Sequence, residues 1–122
     1  MKILVKRIYE SAAKSDGVRV LVDRLWPRGM SKENAKLDLW LPDLGPSTTL
    51  RQWFNHDPAR WEAFRRRYHA ELNAKQELVA ELKGRAKKGT VTLLYSAKDD
   101  EHNQAVALRS YLLRSQDKRG DI

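Results

Sequence analysis

At 122 residues the chain has room for one domain with a sizeable core, and 41% hydrophobic against 33% charged residues describe a globular rather than a disordered protein. Its formal charge of +8 and pI near 9.9 point towards anionic partners. Cysteine is absent, which excludes disulfides, thiolate zinc sites and a cysteine nucleophile, and no apolar run approaches the roughly 20 residues that span a bilayer. Charges at Lys2, Lys6 and Arg7 come too early for a signal peptide, so a cytoplasmic location is expected.

Lys2 to Tyr9 alternates around Ile3, Val5 and Ile8 and predicts a first strand, followed by a loop from Glu10 to Gly17. Val18 to Leu25 predicts a second strand. The connection between them is too short for a helical crossover, so the two strands are either an antiparallel hairpin or not neighbours at all. Ser31 opens a single helical turn towards Ala35, and Leu37, Leu39 and Leu41 alternate as a short strand that Pro42 and Gly45-Pro46 end. Ser47 is an N-cap for a helix running to about Phe54.

Asp57-Pro58 is the clearest helix start, since aspartate caps free amides and proline pre-sets the first helical torsion. Trp61, Phe64, Tyr68, Leu72, Val79 and Leu82 then share one stripe, with a break near Asn73. Lys83 to Gly89 reads as a basic exit turn and Thr90 to Ser96 as a third strong strand. Asp99-Asp100-Glu101 suits the first turn of a last helix with Ala105, Leu108 and Leu112 inside. Residues 1–115 are expected to form a single α/β domain and 116–122 a frayed tail. The fold class is α/β: a single small sheet of three to four strands, mostly parallel, packed with helices.

Two polar constellations sit at predicted strand ends. Asp23, Arg24, Trp26 and Arg28 surround a Pro27/Gly29 turn, where arginine grips carboxylate or phosphate in two-pronged fashion and an indole stacks on a planar group. The same residues also fit a structural knot of ion pair, core ring and turn. Ser96, Lys98 and His102 follow the third strand, near acids that suit either a helix start or, less well, an anion site. If the second and third strands run parallel, both groups emerge at one carboxyl edge. Tyr68 and Glu71 share a helix face, either towards a cleft or as a core ring with its hydroxyl satisfied and a surface carboxylate. Arg65-Arg66-Arg67 fan out over roughly 200° and make no single patch. No Gly-rich phosphate loop is present, and the three histidines are widely spaced, so neither a cofactor nor a metal is expected.

Val20 to Gly29 (VLVDRLWPRG), Trp53-Phe54 with His56-Asp57-Pro58, Phe64 to Leu72 (FRRRYHAEL) and Thr92 to Ala105 (TLLYSAKDDEHNQA) together resemble the YeaO-like proteins, a branch of domain-of-unknown-function group 488. The resemblance implies a small bacterial or archaeal α/β protein and brings no established activity. It marks Asp23, Arg24, Trp26, Arg28, Tyr68, Glu71, Ser96, Lys98 and His102, among others. Other branches of the group carry a cysteine near the last core strand, where this chain has Tyr95 and Ser96, so it implies no thiol chemistry here.

The expectation is a pocket at the carboxyl ends of the strands that binds an anionic small molecule or nucleotide. Arg24, Trp26, Arg28, Tyr68, Ser96 and Lys98 would bind the ligand. If the pocket is catalytic, Asp23, Glu71 or His102 would move protons by general acid–base chemistry. Two alternatives stand beside it: a nucleic-acid-binding module using the basic surface and Trp26 or Trp53, and a structural or regulatory partner protein without a ligand. No membrane partner is expected.

Overall fold

The computed structural model describes residues 1–120, with side chains described as far as Arg114. Strands β1 (Ile3–Arg7), β2 (Val18–Leu21), β3 (Leu39–Trp40) and β4 (Val91–Tyr95) form one sheet in the order β1-β4-β2-β3. Every pairing is parallel, with Ile3 and Val18 both opposite Val91 and Arg7 opposite Tyr95. The first two strands are therefore not neighbours. Residues 8–17 cross over without a helix longer than the 3-10 turn Lys14–Asp16.

Gly17, just before β2, has φ +63, and a Cβ there would stand 2.1 Å from the Thr90 carbonyl oxygen. That close approach lets the Val18 amide donate to the same carbonyl at 2.9 Å, setting the register of β2 on β4.

Period-two alternation divides the sheet into two faces. Ile3, Val20, Val22, Val91, Leu93 and Tyr95 face the main core, covered by α2 (Thr48–Phe54), α3 (Trp61–Leu72), α4 (Gln76–Lys88) and α5 (Gln104–Gly120). Leu21 and Leu94 face the other way, under Ile8, Trp26, Met30 and Leu37 and the short α1 (Lys32–Ala35). All five residues of β4 are buried, as befits the strand flanked on both edges. Among the described residues no helix is long and apolar enough to cross a membrane.

Several boundaries differ from the sequence expectation. Strand β2 ends at Leu21 rather than Leu25, because the chain turns away after Val22 donates to the Leu94 carbonyl at 3.2 Å. The stretch expected as a basic exit turn is the last part of α4, where Arg85, Lys87 and Lys88 sit against the negative end of the helix dipole. The last helix starts at Gln104, and Asn103 caps it by accepting from the Val106 amide at 3.0 Å. Asp99 instead closes a local turn, accepting from the Glu101 and His102 amides at 2.9 and 3.0 Å. The break near Asn73 separates α3 from α4. The tail expected over 116–122 lies, in its side chains and last two residues, outside the described residues.

The second face is braced by a buried ionic cluster. Asp16, 4% exposed, accepts from Arg19 Nη1 at 2.6 Å and Lys6 Nζ at 3.1 Å, and from the Ala13 amide at 2.9 Å. Arg19 also donates to the carbonyls of Lys36 and Ala35, and the Thr92 hydroxyl donates to the Asp16 carbonyl. This ties the crossover, β2, β4 and α1 into one block. Burial alone would raise the Asp16 carboxyl, but the Ala13 amide, Lys6 and Arg19 outweigh it and hold it below the usual range.

A depressed carboxyl supplies stability above the unfolded value of about 3.9, and that stability is lost as pH falls through the folded value. Asp16→Asn, which strands a buried arginine, is expected to lower stability by about 3 kcal/mol at neutral pH and to flatten the acid limb of a pH–stability curve. Urea unfolding at a series of pH values measures both.

Candidate functional site

Because β1, β2 and β4 are mutually parallel, their carboxyl ends leave the sheet along one edge. A cavity of about 820 Å³ opens there. Arg7 and Tyr9 line it from the exit of β1; Asp23, Arg24, Leu25, Trp26, Pro27 and Arg28 from the exit of β2; Ser96 to Asp99 and His102 to Gln104 from the segment between β4 and α5. Arg51, Phe54, His56 and Phe64 close it on the helical side, with Pro46 from the loop before α2. The two polar constellations predicted from separate stretches of sequence therefore meet at one hollow.

Asp23 sits at their junction. Its carboxylate accepts from the Ser96 amide at 3.0 Å and from the Gln104 side-chain amide, linking the end of β2 to the exit of β4 and the start of α5. Burial raises its carboxyl above the ordinary value, against the opposing pull of Ser96 and the Arg51 charge. Arg7 Nε donates to the Ser96 and Ala97 carbonyls at 3.2 and 3.0 Å, so the β4 exit is pinned from both neighbouring strands.

The loop after Asp23 is similarly fixed. Trp40 Nε1 donates to the Asp23 carbonyl at 2.8 Å, and Trp26 meets Trp40 edge-on with centroids 5.4 Å apart. Trp26 Nε1 donates to the Met30 carbonyl at 2.6 Å, and the Tyr9 hydroxyl to the Arg28 carbonyl at 2.7 Å. Arg24 spends Nε and Nη2 on the Pro46 and Gly45 carbonyls at 3.0 Å each, making it in large part a brace for the loop before α2. Arg28, Arg51 and Lys98 are exposed at the cavity.

His102 is held by its own turn. Nδ1 lies 2.9 Å from Asp99 Oδ2, and the ring meets Trp61 edge-on at 5.3 Å. Hydrogen bonds from the Glu101 amide and the His102 ring keep the Asp99 carboxyl below its usual range. Both acids of the cavity are thus already supplied with donors, while Arg7, Arg24, Arg28, Arg51 and Lys98 line the same space. The hollow is electropositive. Among the described residues no group of three or more histidines and carboxylates is arranged to hold a metal.

Two expected site residues lie elsewhere. Tyr68 is fully buried in the main core and donates its hydroxyl to the Leu44 carbonyl at 2.5 Å, with burial pushing its pKa up. Glu71 accepts from the Ser47 amide at 2.8 Å and hydroxyl at 2.5 Å, anchoring the cap of α2 to α3. Neither lines the cavity. Conversely, Arg7, Tyr9 and Gln104 belong to it and were not singled out as site residues. For Arg7 and Tyr9 the signal was the charged and aromatic end of the first strand, legible only once that strand's direction is known. His56 reaches the cavity because Asn55 and His56 both take left-handed backbone (φ 47 and 54), turning the chain between α2 and α3.

The chain matches the family model described as "Inactive DUF488-N3 subclade" over residues 2–121. It is 45% identical over 112 residues to the Escherichia coli Uncharacterized protein YeaO, covering 92% of this chain and 97% of that one. It is 36% identical over 111 residues to the Mycobacterium tuberculosis Uncharacterized protein Rv3073c, covering 91% and 93%. No solved structure matches it. With an α/β fold of the expected kind and matches that run almost from end to end, the chain belongs to the DUF488-N3 inactive subclade and is YeaO-like.

Proposed function

We propose that the cavity at the carboxyl ends of the strands binds an anionic small molecule, of which a nucleotide is the best fit. The observation that carries this is electrostatic. A hollow of about 820 Å³, within the range typical of small-molecule sites, is lined by arginines and a lysine, while its carboxylates are satisfied internally. Arg28, Arg51 and Lys98 are the cations placed to meet a phosphate, and the aromatic rings of Trp26 and Tyr9 line the cavity with them, Tyr9 with the Arg7 guanidinium 4.8 Å from its ring centroid.

Binding is favoured over turnover. Of the three groups expected to move protons, Glu71 lies outside the cavity and both Asp23 oxygens already accept hydrogen bonds. His102 keeps Nδ1 on Asp99. The family's description as an inactive subclade agrees with a site that holds its ligand without transforming it.

A thermal-shift screen with inorganic phosphate and nucleoside mono-, di- and triphosphates tests the proposal. A true ligand at a hundredfold its Kd adds about 2.7 kcal/mol of stability. Arg28→Ala combined with Lys98→Ala is expected to remove most of that gain while leaving the ligand-free Tm nearly unchanged. A Tm that no anion in the panel moves would contradict the proposal.

Asp23→Asn separates binding from acid–base catalysis. Removing a negative charge beside Arg51 is expected to tighten anion binding by roughly three- to tenfold in calorimetric titration. Weaker binding would count against the electrostatic reading.

A further inference from the structure

A small anion needs only the cations at the cavity mouth, yet further basic residues stand on α3 and the turn before it. Trp53, on α2, carries the Arg67 guanidinium 4.2 Å and the Arg60 guanidinium 5.2 Å from its ring centroid. Arg60 also donates to the Trp53 carbonyl. The indole fixes both guanidinium groups without cancelling their charge, because it brings none of its own.

Arg67 differs in this from other arginines on these helices. Arg65 pairs with Glu62 at 2.9 Å and Arg85 with Glu81 at 3.6 Å, the usual arrangement on a solvated helix surface. Arg60 is paired in the same way with Asp57 at 3.7 Å, whereas among the described residues Arg67 forms no ion pair. Arg67 stands three residues after the cavity-lining Phe64 on α3, a spacing that puts the two side chains on one helix face, and Arg60 ends the turn that leads into the same helix.

We infer that the cavity receives one nucleotide of a single-stranded nucleic acid, whose backbone continues over the Arg60–Trp53–Arg67 cluster. This rests on the anion-binding reading of the cavity and extends it. Charge complementarity selects a polyphosphate strand. The concave site selects a single strand, because a base within a duplex is stacked and cannot enter a hollow without being extruded. Fixed guanidinium groups lose little freedom on gripping a phosphate.

Fluorescence anisotropy with the whole chain tests this, using mixed-sequence DNA and RNA strands of about eight nucleotides, the matching duplexes, and the four nucleoside monophosphates as competitors, over a range of salt. A single strand is expected to bind at least about tenfold more tightly than any monophosphate at low salt. Arg60→Gln with Arg67→Gln should weaken strand binding roughly tenfold and reduce the log–log salt slope by about 1.4, while leaving monophosphate affinity within about twofold. Arg60→Lys with Arg67→Lys, which keeps both charges, should retain most of the slope and serves as the folding control. A preference for RNA or DNA identifies the strand's sugar, and either supports the inference. Strands that bind no better than monophosphates, duplexes that bind better than strands, or a slope unmoved by the glutamine variant would each overturn it and leave the cavity's anion binding standing. Failure of monophosphates and strands alike would overturn both.

Discussion

The molecule is organised around one constraint: β4 runs parallel between β1 and β2, buried along its whole length. A central strand hydrogen-bonded on both edges can carry an almost continuous apolar run, and Val91, Leu93 and Leu94 supply it. Parallelism then dictates the chemistry's address. Three strands of one direction must end at one edge, so Arg7, Asp23 and Ser96 arrive together although they are far apart in sequence. Interatomic detail follows from that arrival: Asp23 reaches across to the Ser96 amide, and Arg7 to the Ser96 and Ala97 carbonyls.

The two buried aspartates show how environment divides roles between like residues. Asp16 faces Lys6 and Arg19, which help hold its carboxyl below the usual range, and it serves as a brace on the second face of the sheet. Asp23 meets amides instead of a direct cationic partner, and burial makes its charge costly. Its place at the strand ends, with Arg51 acting on it through space, ties it to the cavity. Much of the polar inventory around that cavity serves to hold loops: Arg24 on Gly45 and Pro46, Tyr9 on Arg28, Trp40 on Asp23. What is left unspent is positive charge at the mouth.

The strands and most helices were legible because their hydrophobic periods are strong, and the meeting of the two polar groups followed from strand ends and the assumption of parallel pairing. The direction of the first strand was not legible. Residues 8–17 are compatible with a hairpin, and only the placement of β4 between β1 and β2 makes them a crossover. That is why Arg7 and Tyr9 escaped notice. Helical spacing puts Tyr68 and Glu71 on one face but does not say what that face meets, and it meets Leu44 and Ser47 rather than the cavity. The acids at Asp99 to Glu101 suited a helix start, yet Asn103 took the cap because its side chain reaches the Val106 amide. Local pattern specifies elements well; partners across the core depend on topology.

The proposal that the converging strand ends form an anion site is tested most directly by amide and arginine-side-chain NMR during titration with inorganic phosphate and a nucleoside monophosphate. Saturable shifts confined to the Arg28, Ser96 and Lys98 amides and the Arg51 Nε–H are expected. Shifts centred on the basic end of α4, or none that saturate, would contradict a binding site at the strand ends.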